Sequence, residues 1–250
     1  MGSINDAVTA LVPGFTGQVV LNWVVGILLA TMTGLVLFGG IKRIGSVTEK
    51  IVPVMAVVYI ISTLIVIFSH IGHIGQVFGM IFKGAFNAEA ALGGAFGITI
   101  STSITTGIAR GCFSNEAGLG SAPMAHAATS ETNPVKQGFF GIFEVFMDTI
   151  VICTLTALTV LSASCAGSID IAWGTSGGAS IVSAALSSVL GGGVGSIILA
   201  LCLALFALST VLSWSLYGTR CFEYLFGTRA SIGYKLVFIF SRQVRHDLHV

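Results

Sequence analysis

An all-α membrane protein is the fold class this sequence predicts, and three observations carry that reading. The chain is 54% hydrophobic and only 8% charged, against roughly 25% charged residues in an ordinary soluble domain. Its apolar residues fall in runs long enough to cross a hydrocarbon core, not in the short alternating segments of half-buried strands. One long run is also interrupted by polar, Gly- and Pro-rich sequence, which a bilayer tolerates only where the backbone is buried in protein or lines a wet cavity.

The balance of charge removes one class of function. Eleven basic and ten acidic side chains give a net charge of +1 over 250 residues, so there is no basic surface to neutralise phosphate backbones and nucleic acid is excluded as a partner. The five cysteines, Cys112, Cys153, Cys165, Cys202 and Cys221, are scattered without a C-x-x-C pair and read as small hydrophobes, not as disulfides or metal ligands. Met1 to Thr9 has no basic residue ahead of an apolar run and does not read as a signal peptide; the chain begins like the middle of a protein.

The elements follow in order. Gln18 to Gly40 is the first span, long enough to cross at ~1.5 Å per residue, and it ends at Lys42 and Arg43. Ile51 to Ser69 is the second, with Pro53 in its first turn, where a missing amide donor is harmless. Ile71 to Phe86, broken by Gly72, Gly75, Gly79 and Lys83, predicts a short helix at the surface. Ala90 to Ala128 is too long for a simple span and is discontinuous. Gly138 to Ala163 is the fourth span and places Glu144 and Asp148 at i and i+4, on one helical face. Ser164 to Gly193 reads as a loop with a short helix at Ala179 to Leu190. Val194 to Leu225 is the fifth span, and a sixth apolar segment begins at Ile232 but gives way at Ser241 to a polar tail. The organisation predicted is one transmembrane domain over residues 1–240, with spans 18–40, 51–69, 90–128, 138–163, 194–225 and a partial 232–240, then the tail 241–250.

Basic residues set the orientation, because cytoplasmic loops are enriched in Lys and Arg. Lys42, Arg43 and Lys50, then Lys136, then Arg220 and Arg229 mark one side, while the loops from His70 to Glu89 and Ser164 to Gly193 hold only Lys83. The first residues are therefore expected outside and the loop after span one inside.

The interruption in the third span carries the chemistry. Gly111, Gly118, Gly120 and Pro123 lower helix propensity around Asn115 and Glu116, with Arg110 and His126 at the margins. Unwound backbone of this kind coordinates ions and small charged substrates in transporters. A glycine cluster alone would suggest only close helix packing; Asn115 and Glu116 inside the break favour the functional reading. Because unpaired carboxylates at membrane depth are costly, Glu144 and Asp148 are either buried partners of Arg110, His126 or backbone amides or part of an ion path, with the structural role expected. Hydroxyls such as Ser209 and Thr210 on the fifth span ordinarily bond back to the preceding turn.

The run Ala-Arg-Gly-Cys-Phe-Ser-Asn-Glu-Ala-Gly-Leu-Gly-Ser-Ala-Pro-Met-Ala-His-Ala-Ala, positions 109–128, closely resembles the signature of the sodium:alanine symporter family. The resemblance extends through Gly39-Gly40-Ile41-Lys42-Arg43-Ile44, Val52-Pro53-Val54-Met55-Ala56, Asp148-Thr149 with Cys153-Thr154, and Ser213-Trp214-Ser215-Leu216-Tyr217-Gly218. It covers essentially all of residues 17–235.

The resemblance implies a partial leucine-transporter-type inverted-repeat fold, with about five transmembrane helices plus an incomplete sixth, in which positions 106–128 are the unwound sixth core helix. It also implies that Phe113, Ser114 and Asn115, with Trp214 as a pocket wall, bind substrate. Ala207, Ser209 and Thr210 are implied as a contribution to a sodium site. Sodium-coupled symport of alanine or glycine in the cell membrane is the expected function, with lipid, sodium and a small neutral amino acid as partners. No cofactor is implied beyond sodium as the coupling ion, and no enzyme activity. A carrier lacking three earlier core helices is expected not to transport alone, which implies a separate chain supplying them. The tail from Ser241 is expected to reflect a frameshift or truncated gene. The competing readings are a non-transporting remnant or structural membrane partner, and an intramembrane hydrolase using Ser114 or Cys112 with His126 as base.

Overall fold

The computed structural model describes residues 2–11, 17–86, 96–171 and 177–244, and among these the chain is helical with no strand. Four helices are long and apolar enough to cross a membrane: Gln18–Phe38, Lys42–Ser69, Pro134–Cys165 and Gly192–Phe226. The described residues group into two compact units, one of residues 1–61 with 190–250 and one of residues 62–189.

The first unit opens with α1 (Gly2–Leu11), a helix the sequence reading passed over, which packs on α10 (Gly192–Phe226). Next, α2 (Gln18–Phe38) packs on both α10 and α11 (Ala230–Val244). Leu37 on α2, Ile44 on α3 (Gly40–Ser69), and Leu208 and Leu212 on α10 form a buried cluster, against which Phe238 and Ile239 of α11 close. At ~25 cal/mol per Å2, full burial of each such side chain is worth roughly 1.5–3 kcal/mol where water is the reference; in a bilayer the gain is packing itself. Phe222 of α10 stacks on Tyr234 of α11 with ring centroids 5.4 Å apart. Gly218 makes room for that tyrosine, since a Cβ there would lie 1.8 Å from the Tyr234 hydroxyl.

In the second unit a 3-10 turn, Ile71–His73, leads into α4 (Ile74–Phe86), which packs on α8 (Cys153–Cys165). Thr63, Thr159 and Ser162 are fully buried, and each of the last two gives its hydroxyl to a main-chain carbonyl, Thr159 to Leu155 at 2.7 Å and Ser162 to Thr159 at 3.2 Å. That satisfaction is what lets hydroxyls sit in an apolar interior. Then come α5 (Phe96–Ser114), the irregular stretch 115–121 and the short α6 (Ala122–His126). Pro134–Val145 (α7), the π-helical segment Phe146–Ile152 and α8 make one continuous rod, and α9 (Gly178–Leu190) follows. Asn133 caps the rod, its side chain accepting from the amides of Val135 and Lys136, with Pro134 in the first turn.

Helix outruns the apolar sequence at two places. Ahead of the apolar run from residue 51, α3 is 30 residues long and begins at Gly40, carrying Lys42, Arg43 and Lys50 in helix. Charged residues are good helix formers, and at ~1.5 Å per residue the helix outruns the hydrocarbon core, so hydropathy marks the immersed part and not the helix. The polar sequence from Ser241 does not end the last helix, because α11 runs to Val244 for the same reason. Glu144 and Asp148 flank the point at Phe146 where the rod changes to π geometry; four residues lie within about 40° of a full turn at either pitch, so the two stay on one side of the rod. Positions 90–95, the start of the predicted third span, lie outside the described residues, as does the tail from 245.

Candidate functional site: a broken helix held by a π-helical rod

The break follows from where α5 runs out of helical residues. Asn115 still donates its amide to the Gly111 carbonyl at 3.1 Å. The next two amides go back to the turn they leave, Glu116 to Phe113 at 3.3 Å and Ala117 to Cys112 at 2.9 Å. That pair of bonds is a Schellman cap, whose central residue must be left-handed and is usually glycine. Here it is Glu116, at φ 51°, the one non-glycine residue with positive φ among the described residues. A side chain in that conformation costs roughly 1–2 kcal/mol. Gly118 and Gly120, at φ 77° and 75°, repeat the left-handed turn without that cost. The chain re-enters helix at Ala122 with Pro123 in the first turn.

The side chains around the break reach beyond their own helix, although Asn115 Nδ2 also donates to the Gly111 carbonyl at 3.0 Å. Ser114 donates its hydroxyl to Asp148 Oδ2 at 2.5 Å. Asn115 donates from Nδ2 to Thr149 Oγ1 at 2.8 Å and accepts back from that hydroxyl on Oδ1 at 3.1 Å. Two consecutive residues at the end of α5 thus meet two consecutive residues of the π segment. A π turn carries ~4.4 residues, so neighbours diverge less around it than on an α-helix, and both can face one partner. Beyond the break, the Gln137 amide lies 2.5 Å from His126 Nδ1, and His126 Nε2 lies 3.8 Å from the Glu144 carboxylate. The rod therefore holds both ends of the interrupted helix.

Within the break, Ser121, which is buried, donates to Glu116 Oε2 at 2.7 Å. An open groove of about 770 Å3 runs along it, lined by Gly111, Cys112, Asn115, Glu116, Pro123 and Val145 among others. That size falls within the common range of ligand clefts.

The sequence-derived residues are distributed unequally about this groove. Asn115 lines it, whereas Phe113 is 64% exposed and, with Ser114, lies outside the lining. Trp214, Ala207, Ser209 and Thr210 all lie on α10 in the other unit. Trp214 has its ring 6.5 Å from that of Tyr217. Ser209 and Thr210 both donate to the Phe206 carbonyl at 2.9 Å. Their lone pairs then point away from that bond, a geometry in which a hydroxyl still serves as a hard oxygen ligand. Glu116 is singled out by the sequence inside the break without an assigned role, and Thr149 and Ser121, which also bond around it, are not singled out. Asp148-Thr149 was visible in the family resemblance, but nothing local marks Thr149 as the partner of a residue 34 positions earlier.

The same geometry does not favour the hydrolase reading: the Ser114 hydroxyl is bonded to Asp148 and the His126 ring lies against Gln137 and Glu144, so the serine–histidine pair is not assembled.

A multi-pass helical membrane protein organised on an interrupted helix is the class that the fold and this site define. The chain belongs to the sodium:alanine symporter family, whose sequence model matches residues 3–244. It is 43% identical over 219 residues to the sodium/alanine symporter AgcS of Methanococcus maripaludis, covering 86% of this chain and 46% of that protein. An uncharacterized transporter of Haemophilus influenzae is 39% identical over 227 residues, covering 91% of this chain and 49% of that protein. The probable sodium/glutamine symporter GlnT of Bacillus subtilis is 38% identical over 217 residues, at 86% and 42%. The chain thus spans about half the length of the curated relatives it matches.

Proposed function

We propose that this chain provides the broken-helix part of a cell-membrane carrier that couples sodium entry to uptake of a small neutral amino acid, alanine or glycine. The observation that carries the reading is the break itself. Between Asn115 and Ser121 the chain leaves the regular helical ladder, its amides turning back in a cap, beside an open groove, in a chain whose family is a transporter family. The carbonyls and side-chain groups of such a break are suited to the ammonium and carboxylate of an amino acid, and half-helix dipoles complement them. Phe113 and Trp214 are assigned to limiting side-chain size.

Sodium is a hard cation and takes oxygen ligands. Ala207, through its carbonyl, with Ser209 and Thr210 is one candidate set. The oxygens of Ser114, Asp148, Asn115 and Thr149, brought together at the break, are a second from this chain, and they include a carboxylate. Alternating access around the break supplies the mechanism, and no covalent chemistry is needed.

Uptake of labelled alanine tests the proposal, in proteoliposomes that hold this chain together with the chain proposed to supply the remaining helices. It is expected to collapse when choline replaces sodium, and unlabelled glycine is expected to compete. Glutamine competing better than either would move the substrate to the one named for the Bacillus subtilis relative. Sodium-independent uptake, or labelling by a serine-directed phosphonate, would overturn the function itself.

A further inference from the structure

We infer that Glu116 is a positioning residue for the amino-acid substrate, its carboxylate fixing the shape of the unwound segment through Ser121. The inference rests on the symport reading above and adds a determinant of affinity to it. The central residue of the Schellman cap favours glycine on backbone grounds, and glycine does fill the two later left-handed positions of the break, Gly118 and Gly120. A glutamate stands there against the local preference, and its side chain supplies an interaction that glycine could not. It does so by accepting from Ser121 Oγ at 2.7 Å, a bond that closes the irregular stretch on itself from its first turn to its last residue. Ser121 is only 9% exposed, so its hydroxyl is held in place by the surrounding chain. Both Glu116 and its neighbour Asn115 line the groove, and Cys112 at the same wall reports on its shape.

Three variants in the full chain separate positioning from simple folding. Glu116→Gly relieves the backbone and deletes the latch, Ser121→Ala deletes only the donor, and Glu116→Gln keeps an acceptor without the charge. Alanine KM is expected to rise about tenfold in the first two, in proportion to one hydrogen bond to a charged group, with kcat little changed. The thermal midpoint of Glu116→Gly is expected to be equal to or above that of the parent. Glu116→Gln is expected to restore most of the affinity. Peptide-resolved maleimide labelling of Cys112, which needs no transport, is expected to change rate in Glu116→Gly and Ser121→Ala but not in Glu116→Gln. A parent-like KM and labelling rate in Glu116→Gly would overturn the inference, as would a Glu116→Gln variant as impaired as Glu116→Gly. Sodium-independent uptake by the parent chain assembled with the remaining helices defeats the symport reading instead, and the Cys112 labelling, which needs only this chain, then decides the latch independently.

Discussion

The end of α5 and the length of α10 use the same polar side chains in opposite ways. Along α10, Ser209, Thr210, Ser213, Ser215 and Thr219 each donate to a carbonyl three or four residues back on their own helix. That helix runs 35 residues without a break, so a carbonyl is always within reach, and its hydroxyls add little to tertiary structure. At the end of α5 the turn is cut short. Ser114 and Asn115 reach to the π segment, where they join two pieces of chain 34 residues apart in sequence. Polar side chains are informative when they reach beyond their own helix, and nearly silent when they do not.

The largest effect expected from this contrast is at Asp148 and Thr149. Replacing both by alanine leaves Ser114 and Asn115 without their cross-helix partners. A loss of about 1–3 kcal/mol in thermal unfolding in detergent is expected, together with loss of sodium-driven uptake. Ser213→Ala combined with Thr219→Ala on α10 is the matched control. If the control loses as much stability as the pair on the π segment, the distinction between the two regions fails.

Gly218 probes α10 in the way it does matter, through packing. Gly218→Ala drives a methyl group into Tyr234, at a cost of about 1 kcal/mol or more. The thermal midpoint is expected to fall while Cys112 labelling at the break stays at the parent rate. A changed labelling rate would mean the two regions are energetically coupled.

The smallest structural effect is expected at Thr210. Thr210→Val keeps the shape and removes only a back-bonded hydroxyl, so stability is expected to stay within about 0.5 kcal/mol. The sodium concentration for half-maximal uptake is expected to rise severalfold, because the hydroxyl oxygen is assigned to the cation. An unchanged sodium dependence removes Thr210 from the ligand set and leaves the oxygens at the break as the stronger candidate.

The legible part of this protein is what is decided within a few turns of chain. Gln18 to Gly40 and Val194 to Leu225 were readable as spans because hydrophobic length is a local property, and they match α2 and α10 within about two residues. Gly118, Gly120 and Pro123 located the break because left-handed turns and missing amides are written residue by residue. Hydropathy could not show that helix continues through Lys42 and Arg43, because immersion and helicity are different quantities. Tertiary structure alone decided that the rod changes to π geometry at Phe146, that Asp148 and Thr149 face Ser114 and Asn115, and that Glu116 takes the left-handed position and holds Ser121. Each of those outcomes depends on which distant group offers a partner for a polar atom that has left its helix, and that choice is made only when the chain packs.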